Sequence, residues 1–227
     1  VKHSNTNVPI AIGSARSFEV TNTPSDRTIA SFFWKTMVHH HSYVIGGNSS
    51  YEDCGEEDKL NDRVSDKTCE TCNTYNMLKL TMHLFCWQPG QELADYYDRA
   101  LYNHILSSQN PTDGMMCYFV PLRMGTQKQF SDQFNTFTCC VGTGMENHSK
   151  YAESIYFRAK DGGLYVNLFI SSVLDWNEKG VIVKQETKFP EGHKSSLTFT
   201  VKYPKKYPLY FKNTTWPTNG VDRNGLA

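Results

Sequence analysis

The sequence predicts an α+β protein in which a helical domain precedes a β-sandwich. Apolar residues recur with a helical period up to about residue 157. From residue 160 the period changes to two, as expected for strands that bury one face. Helical hairpins followed by strands are typical of such a two-part protein. We therefore expect the domains to be residues 1–159 and 160–227.

Four helices are predicted in the first domain. A turn at residues 23–26 caps the first helix, and the others are expected at about residues 71–86, 91–106 and 144–156. Pro89-Gly90 separates the second helix from the third. The residues expected on the buried faces of the first three helices are Ile29, Phe32, Phe33 and Met37; Tyr75, Leu78, Met82 and Phe85; and Leu93, Tyr97, Leu101 and Ile105.

Three strands are predicted in the second domain, at residues 164–170, 181–185 and 197–201. The sequence that follows them is rich in Asn, Pro and Gly, so we expect the sheet portion to be incomplete. No element is predicted for the last ~20 residues.

Composition argues against two classes of partner. The chain has 227 residues with 23 basic and 23 acidic side chains, so it lacks the positive charge that attracts nucleic acid. It contains no run of about 18 apolar residues, so no membrane span is predicted.

Aromatic residues make up 13% of the chain, which packing explains more readily than a carbohydrate site. The first residues lack a secretory pattern, and we expect the chain to begin inside a longer protein.

The cysteines suggest a metal site. There are seven of them, an odd number with two close pairs, which is not typical of a disulfide framework. With Glu70, the thiolates of Cys72, Cys139 and Cys140 would make a tetrahedral zinc shell. Glu70 and Cys72 lie at the start of one predicted helix, and Cys139-Cys140 lies just before another, whose N-terminus favours thiolates. The spacing also fits buried structural cysteines or a structural zinc clip, so it does not by itself predict an enzyme.

A glycine- and charge-rich loop, roughly residues 45–67, contains a candidate general acid. Glu52 follows Gly46-Gly47, and a carboxylate in such a loop is able to approach a ligand closely. Most glutamates of this kind are only solvated. Composition does not choose between Glu52 and the other acidic residues of the loop, which include Glu56, Glu57 and Asp58.

An ordered series of short segments extends over roughly residues 1–175. It comprises His3-Ser4-Asn5-Thr6-Asn7-Val8-Pro9, Phe33-Trp34, His41-Ser42-Tyr43, Gly46-Gly47-Asn48-Ser49 with Glu52, Glu70-Thr71-Cys72, Thr74-Tyr75-Asn76-Met77-Leu78, Ala100-Leu101-Tyr102-Asn103, Tyr118 with Pro121-Leu122, Cys139-Cys140 with Gly142-Thr143-Gly144, and Ser154-Ile155-Tyr156. In order and spacing, this series resembles the β-L-arabinofuranosidases of glycoside hydrolase family 127 and their close relatives in family 146. The whole series is far more specific than any one segment.

The resemblance implies an (α/α)6 barrel followed by β-sandwich domains. For this chain it implies the C-terminal half of the catalytic barrel at residues 1–159 and part of an antiparallel β-sandwich at residues 160–227. The implied zinc ligands are Glu70, Cys72, Cys139 and Cys140. Cys139 is the implied nucleophile. Glu52 is the implied acid/base, because its offset from the glycines fits better than that of Glu56 or Glu57.

The activity that the resemblance implies is the retaining hydrolysis of plant cell-wall arabinosides or arabinoglycans. Cys139 attacks the anomeric carbon while Glu52 protonates the departing oxygen, and water deprotonated by Glu52 then releases arabinose. The implied substrate contacts come from Tyr118, from Asp98 in place of the usual glutamate, from Asn7 in place of a frequent histidine, and from His41. His41 belongs to the tract His39-His40-His41, which is interpreted as helix-terminal charge and pocket lining rather than as a second metal site. Of the properties of the enzyme, substrate preference is the one we expect to change first when Asp98 replaces glutamate and Asn7 replaces histidine.

A second hypothesis is a non-catalytic, zinc-stabilised helical module, or a decayed fragment that at most binds sugar. Both hypotheses expect zinc, but only the enzyme needs Glu52 near an accessible Cys139. Family members are far longer, so a missing N-terminal half of the barrel is an expected partner, and a half barrel exposes an apolar seam. A secreted or periplasmic location is implied for full-length members. The sequence itself specifies no compartment, glycan linkage or oligomeric state.

Overall fold

The computed structural model describes residues 3–204 and 206–212 of the chain. The chain divides into two compact units between residues 150 and 151. The first unit is helical, and the second contains the strands, as the change of period predicts. Residues 205 and 213–227, which belong to the predicted second domain, lie outside the described residues.

Five α-helices occur in the described part of the first unit. They are α1 (Ser4–Thr21), α2 (Pro24–His40), α3 (Thr71–Trp87), α4 (Gln91–Ala100) and α5 (Cys139–Ser149). Helix α1 was not predicted, because it contains Pro9 and buries mainly small side chains, so its apolar stripe contrasts little with its other face. The buried residues of α1 are Ser4, Val8, Ala11 and Ala15.

The buried face predicted for α2 was wrong for most of its residues. The helix buries Ala30, Trp34 and Met37, whereas Phe32 is 70% exposed and Ile29 is 49% exposed. Trp34 decides the orientation, because its indole nitrogen donates a 2.8 Å hydrogen bond to Thr81 of α3 and its ring packs edge-on against Tyr96. Two apolar stripes therefore compete on this helix, and the contacts of Trp34 select the inner one.

Helix α3 is the centre of the first unit. It packs against α1, α2, α4 and α5, and it is buried on nearly all sides. The predicted face was correct for Tyr75, Leu78 and Phe85, which are all buried, but Met77 and Leu80 on other faces are fully buried as well. A helix with neighbours all round needs no polar face, and this explains why its period is weak.

The last two predicted helices differ from the observed ones, in helix type for α4 and in both bounds for α5. Helix α4 continues into a π-helical turn at Leu101–Ile105 and a 3-10 turn at Leu106–Ser108. Together these elements cover the predicted helix at residues 91–106. Helix α5 begins at Cys139, five residues before the predicted start at residue 144, and ends at Ser149. The cysteine pair thus forms part of the helix instead of preceding it.

The described part of the second unit contains two three-stranded sheets. Their strands are β1 (Tyr156–Arg158), β2 (Leu164–Val166), β3 (Ser172–Trp176), β4 (Val181–Thr187), β5 (Ser195–Val201) and β6 (Leu209–Phe211). One sheet has the order β1-β2-β6, with β2 and β6 parallel, and the other is an antiparallel β3-β4-β5 meander. The predicted strands overlap β2, β4 and β5, although β2 ends at Val166 and not at residue 170, while β1, β3 and β6 were not predicted.

Both sheets of the second unit contribute to one hydrophobic core. Leu164 and Val166 of β2 meet Trp176, Val181 and Val183 of the meander. Alternate residues of β4 point inward, as its period of two requires. Within the described ranges of both units, none of the helices combines the length and the apolar character needed to span a membrane.

Candidate metal and catalytic site

One carboxylate and three thiols of the first unit converge at the N-termini of two helices. These groups belong to Glu70, Cys72, Cys139 and Cys140, and one ligand atom from each lies within 4.8 Å of all the others. The sulfur of Cys140 is 3.1 Å from that of Cys72, 3.9 Å from that of Cys139, and 4.0 Å from Oε1 of Glu70. The four predicted ligands, which come from two segments about 70 residues apart, are thus brought together.

Local structure explains why these side chains meet. Glu70 is the N-cap of α3 and Cys72 lies in its first turn, while Cys139 and Cys140 open α5 after the N-cap Thr138. Helices α3 and α5 pack against each other. The cluster therefore lies at the N-termini of both helices, where the positive end of each helix dipole favours thiolates and carboxylates.

The donor set fits a zinc ion. Three sulfurs and one carboxylate oxygen are ligands that zinc prefers, and Zn–S bonds of about 2.3 Å in a tetrahedron place sulfurs about 3.8 Å apart. Of the two sulfur separations measured from Cys140, the 3.9 Å distance to Cys139 matches that spacing, and the 3.1 Å distance to Cys72 is shorter. Oε2 of Glu70 is buried and has no hydrogen-bond partner among the described residues, as expected of an atom that a cation would satisfy.

The environment that the protein provides does not keep all four side chains of the cluster deprotonated at neutral pH. A hydrogen bond from Cys72 lowers the pKa of Cys140 to about 7, and the same interaction raises the pKa of Cys72. Burial, together with the negative charges of Cys140 and Glu52, raises the pKa of Glu70 to about 8. Burial also raises the pKa of the Cys139 thiol. A bound cation favours the deprotonated form of every one of these groups.

A second set of contacts joins Glu52 to Cys139 through Tyr118. The hydroxyl of Tyr118 donates a hydrogen bond to Oε1 of Glu52 and lies 3.5 Å from the sulfur of Cys139. Cys139 is exposed, whereas Cys72 and Cys140 are buried. A carboxylate and an accessible thiol therefore contact the same hydroxyl group, next to the cluster of four side chains that could hold a metal ion.

Hydrogen bonds between backbones hold Glu52 and Tyr118 in place. The amide of Ser4 at the start of α1 donates a 2.7 Å bond to the Glu52 carbonyl, and Glu52 itself has a φ of +66°. The amide of Thr71 donates to the Tyr118 carbonyl at 3.0 Å, so the segment that carries Tyr118 runs beside the start of α3. A non-glycine residue in the left-handed region is uncommon and is often found at functional sites.

Three residues that contact the site received no role from sequence reasoning. Asn5 donates a 3.2 Å hydrogen bond to Glu70, His3 lies 3.6 Å from the Glu52 carboxylate, and the hydroxyl of Thr143 lies 3.2 Å from the Cys72 sulfur. All three belong to segments that carry the family resemblance, and that membership is the signal that would have drawn attention to them.

The other predicted substrate contacts lie at different places in the first unit. Asn7 is half-buried on α1 and donates a hydrogen bond to the His3 carbonyl. His41 is buried at the C-terminal end of α2, and Asp98 is half-buried on α4. The binding roles of these three residues stay predictions.

Comparison with known protein families gives two matches along the chain. Residues 1–153 match the family described as "Beta-L-arabinofuranosidase, GH127 catalytic domain". Residues 163–225 match the family described as "Beta-L-arabinofuranosidase, GH127 middle domain". The comparison with curated protein sequences gave no match.

Solved structures share the fold. A GH127 β-L-arabinofuranosidase from Geobacillus stearothermophilus T6 superposes with a TM-score of 0.80 at 19% identity, over 94% of this chain and 36% of that one. A GH127 β-arabinofuranosidase gives a TM-score of 0.75 at 22% identity, with coverages of 92% and 33%. A third structure, of a glycoside hydrolase, gives 0.81 at 18% identity, with coverages of 95% and 40%. The chain thus spans between 33% and 40% of the length of these structures.

Proposed function

This chain belongs to the GH127 β-L-arabinofuranosidase family, and on that premise we propose that it carries the catalytic site of a retaining β-L-arabinofuranosidase. The proposal rests mainly on one observation. The hydroxyl of Tyr118 contacts both the carboxylate of Glu52 and the exposed thiol of Cys139. These groups lie beside the four side chains that could hold a metal ion. A nucleophile and an acid/base that face the same point are the groups that a double displacement requires.

Zinc is the proposed cofactor, held by the cluster that opens α3 and α5. When bound, it would supply a positive charge that keeps the sulfur of Cys139 ionised at neutral pH. This contribution matters because burial raises the pKa of Cys139, so the surrounding protein does not provide the thiolate. The proposed ligands are Glu70, Cys72, Cys139 and Cys140.

In the proposed first step, the Cys139 sulfur attacks the anomeric carbon and the bond to the departing oxygen breaks. Glu52 gives its proton to that oxygen, and a glycosyl-cysteine thioether results. In the second step, Glu52 takes a proton from water, the water oxygen replaces sulfur at the anomeric carbon, and arabinose is released. Two inversions at the same carbon retain its configuration.

Accessibility supports Cys139 as the nucleophile over its neighbour. Cys140 has the lower thiol pKa, at about 7, but it is buried and its sulfur contacts Cys72. Only an exposed sulfur is able to reach an anomeric carbon, and Cys139 meets that requirement while Cys140 does not.

The proposed substrates are arabinose-containing glycans or glycosides. Tyr118 is the proposed substrate contact that lies nearest the reacting groups, since its hydroxyl touches both. Asp98, Asn7 and His41 are proposed to contribute further contacts. Asp98 is one methylene shorter than glutamate, and Asn7 does not titrate as histidine does, so substrate preference is expected to differ from that of relatives with the longer or titratable residue.

We also propose that residues 1–159 form half of an (α/α)6 barrel, that residues 160–227 belong to a β-sandwich, and that a further barrel segment completes the site. Exposed apolar side chains on the first two helices support the need for a further segment. Single exposed apolar residues are normal, but these four lie on two adjoining helices. They are Ile10 and Val20 on α1, and Ile29 and Phe32 on α2.

The test is zinc content and release of 4-nitrophenol from 4-nitrophenyl β-L-arabinofuranoside, for the chain and its Cys139→Ser and Glu52→Gln variants. We expect about one zinc per chain and loss of turnover in both variants. The matched controls are Cys86→Ser, which alters an exposed cysteine on α3, and Glu56→Gln, which alters an exposed glutamate of the Glu52 loop. Both controls are expected to keep zinc and turnover.

Zinc analysis of each variant separates the two roles of Cys139. A Cys139→Ser protein that keeps zinc and loses turnover has lost a nucleophile, whereas loss of both indicates a ligand. Zinc in the parent chain without turnover would favour the second hypothesis, a zinc-stabilised module, or a barrel that needs its further segment. A parent chain with neither zinc nor turnover would contradict the proposed function.

A further inference from the structure

We propose that Asn5 is a positioning residue for the metal ligand Glu70, and that Asn76 acts through Asn5; this inference rests on the proposed metal site. Asn5 lies in the first turn of α1 and Glu70 caps α3, so the contact crosses between two helices. Its amide nitrogen donates a 3.2 Å hydrogen bond to Oε1 of Glu70. The contact is part of a directed chain of hydrogen bonds.

The direction of that chain fixes which end of the Asn5 amide faces the carboxylate. Asn76 donates from its own amide nitrogen to the Asn5 oxygen at 2.8 Å. With its oxygen engaged by a donor, Asn5 presents its N–H₂ group to Glu70. An amide N–H₂ group is only a donor, and the partner it favours is the ionised carboxylate, which only accepts.

A parallel contact anchors the same turn of α1. The hydroxyl of Ser4 donates a 3.0 Å hydrogen bond to the side-chain oxygen of Asn73, and both residues are fully buried. Glu70, Asn73 and Asn76 are three residues apart, so they lie along one side of α3. Asn5 is thereby held against α3 by its sequence neighbour as well as by Asn76, and its amide has little freedom to leave Glu70.

The arrangement leaves the carboxylate suitable for a cation. Oε1 is fixed by a neutral donor, and Oε2 is buried without a partner among the described residues. A lysine or arginine in place of Asn5 would neutralise Glu70 and compete with a metal ion, whereas an amide orients the carboxylate and leaves its charge available. Ligands whose orientation is fixed in this way bind metal more tightly, because less freedom is lost on binding.

The experiment measures zinc affinity by competition with a chromophoric chelator, and the thiolate-to-metal charge-transfer band of the Co²⁺-loaded chain. Asn5→Ala is expected to weaken zinc binding by about 10- to 100-fold and to alter the Co²⁺ spectrum. Asn76→Ala is expected to have a smaller effect in the same direction. In the Asn5→Ala background, Asn76→Ala should have no additional effect, because the two residues act in series.

Asn103→Ala is the matched control, since Asn103 is an exposed asparagine in the helical segment after α4. It should leave zinc affinity and the Co²⁺ spectrum unchanged. Zinc affinity of Asn5→Ala within about twofold of the parent, or additive effects of the two substitutions, would overturn the inference while leaving the proposed function intact. A parent chain that binds no zinc would overturn both. If Asn5→Ala does not fold, the zinc affinity of Asn76→Ala is the deciding measurement. A zinc affinity of Asn76→Ala equal to that of the parent would then overturn the inference.

Discussion

The phenol of Tyr118 donates its hydrogen to the carboxylate of Glu52. The same oxygen lies 3.5 Å from the sulfur of Cys139, so one hydroxyl group links the proposed acid/base to the proposed nucleophile. Burial raises the pKa of Tyr118, with the hydrogen bond to Glu52 adding to the shift, so the phenol stays protonated at neutral pH and acts as a donor. The Tyr118 hydroxyl is therefore the group through which Glu52 and Cys139 are connected.

Tyr118→Phe is expected to lower kcat/KM for 4-nitrophenyl β-L-arabinofuranoside by about 10- to 100-fold. The substitution removes a hydrogen bond to a charged group, which contributes about 1.5–3 kcal/mol, and it keeps the ring in place. Steady-state kinetics and a thermal melt check this prediction. Tyr203→Phe, at an exposed tyrosine of the second unit, should change neither value. Unaltered kinetics in Tyr118→Phe would show that the shared hydroxyl has no part in turnover.

Zinc is expected to raise the melting temperature of the chain, and a chelator to lower it again. An ion that binds only the folded state stabilises it by about 2.7 kcal/mol when present at 100 times its Kd. Calorimetry with and without zinc measures the effect. Cys140→Ala should abolish it, because that variant lacks a buried sulfur at the centre of the cluster. Cys86→Ser should retain it, and a zinc effect that persisted in Cys140→Ala would place the ion elsewhere.

Zinc affinity is expected to rise with pH between about 6 and 8. The ligands must lose protons to bind, and the pKa is about 7 for Cys140 and about 8 for Glu70. Binding therefore releases protons, and a lower proton concentration favours the complex. Competition titrations at several pH values test this, and an affinity that stayed constant across the range would contradict it.

Acid is expected to destabilise the first unit through His104. Its side chain is fully buried, and burial lowers its pKa to about 4, whereas the unfolded chain binds the proton near pH 6.5. Between these values the unfolded state takes up more protons, so stability is complete above pH 6.5 and falls as the pH drops toward 4. The loss amounts to about 3 kcal/mol.

Denaturant unfolding at several pH values measures that slope. His104→Gln should fold less stably at pH 7 and show a shallower loss of stability below pH 6.5. His193→Gln, at an exposed position of the second unit, should keep the parent slope. An equal slope in parent and His104→Gln would assign the acid sensitivity to other groups.

Gly47→Ala is expected to destabilise the fold by about 1–3 kcal/mol. A Cβ atom at Gly47 would lie 2.6 Å from the Cys69 sulfur and 3.0 Å from the His104 ring, and all three residues are buried. The loop that carries Glu52 would have to shift, so activity should fall as well. Gly13→Ala in α1 meets no atom within 4 Å and should be neutral or slightly stabilising. A Gly47→Ala melt equal to that of the parent would mean that the loop adapts without cost.

Much of the candidate site was predictable from residue types. One carboxylate and three thiols suggested Glu70, Cys72, Cys139 and Cys140 as one of two interpretations, and the fold brings them within 4.8 Å of one another. The contacts of Asn5 and Thr143 were not predictable in this way. An asparagine or threonine is common on any polar surface, and only the packing of α1 and α5 against α3 reveals which ones touch a residue of the cluster.

The family, the order of helices before strands, and the four residues able to hold a metal all follow from the amino-acid sequence. These features depend on residue chemistry and on local periodicity, which are written along the chain. Only the packed fold establishes that α2 buries Trp34 instead of Phe32, that α5 begins at Cys139, and that Tyr118 joins Glu52 to Cys139. Each of these outcomes depends on contacts between residues distant in the sequence, and their free energies exceed the small local preferences that a pattern reports.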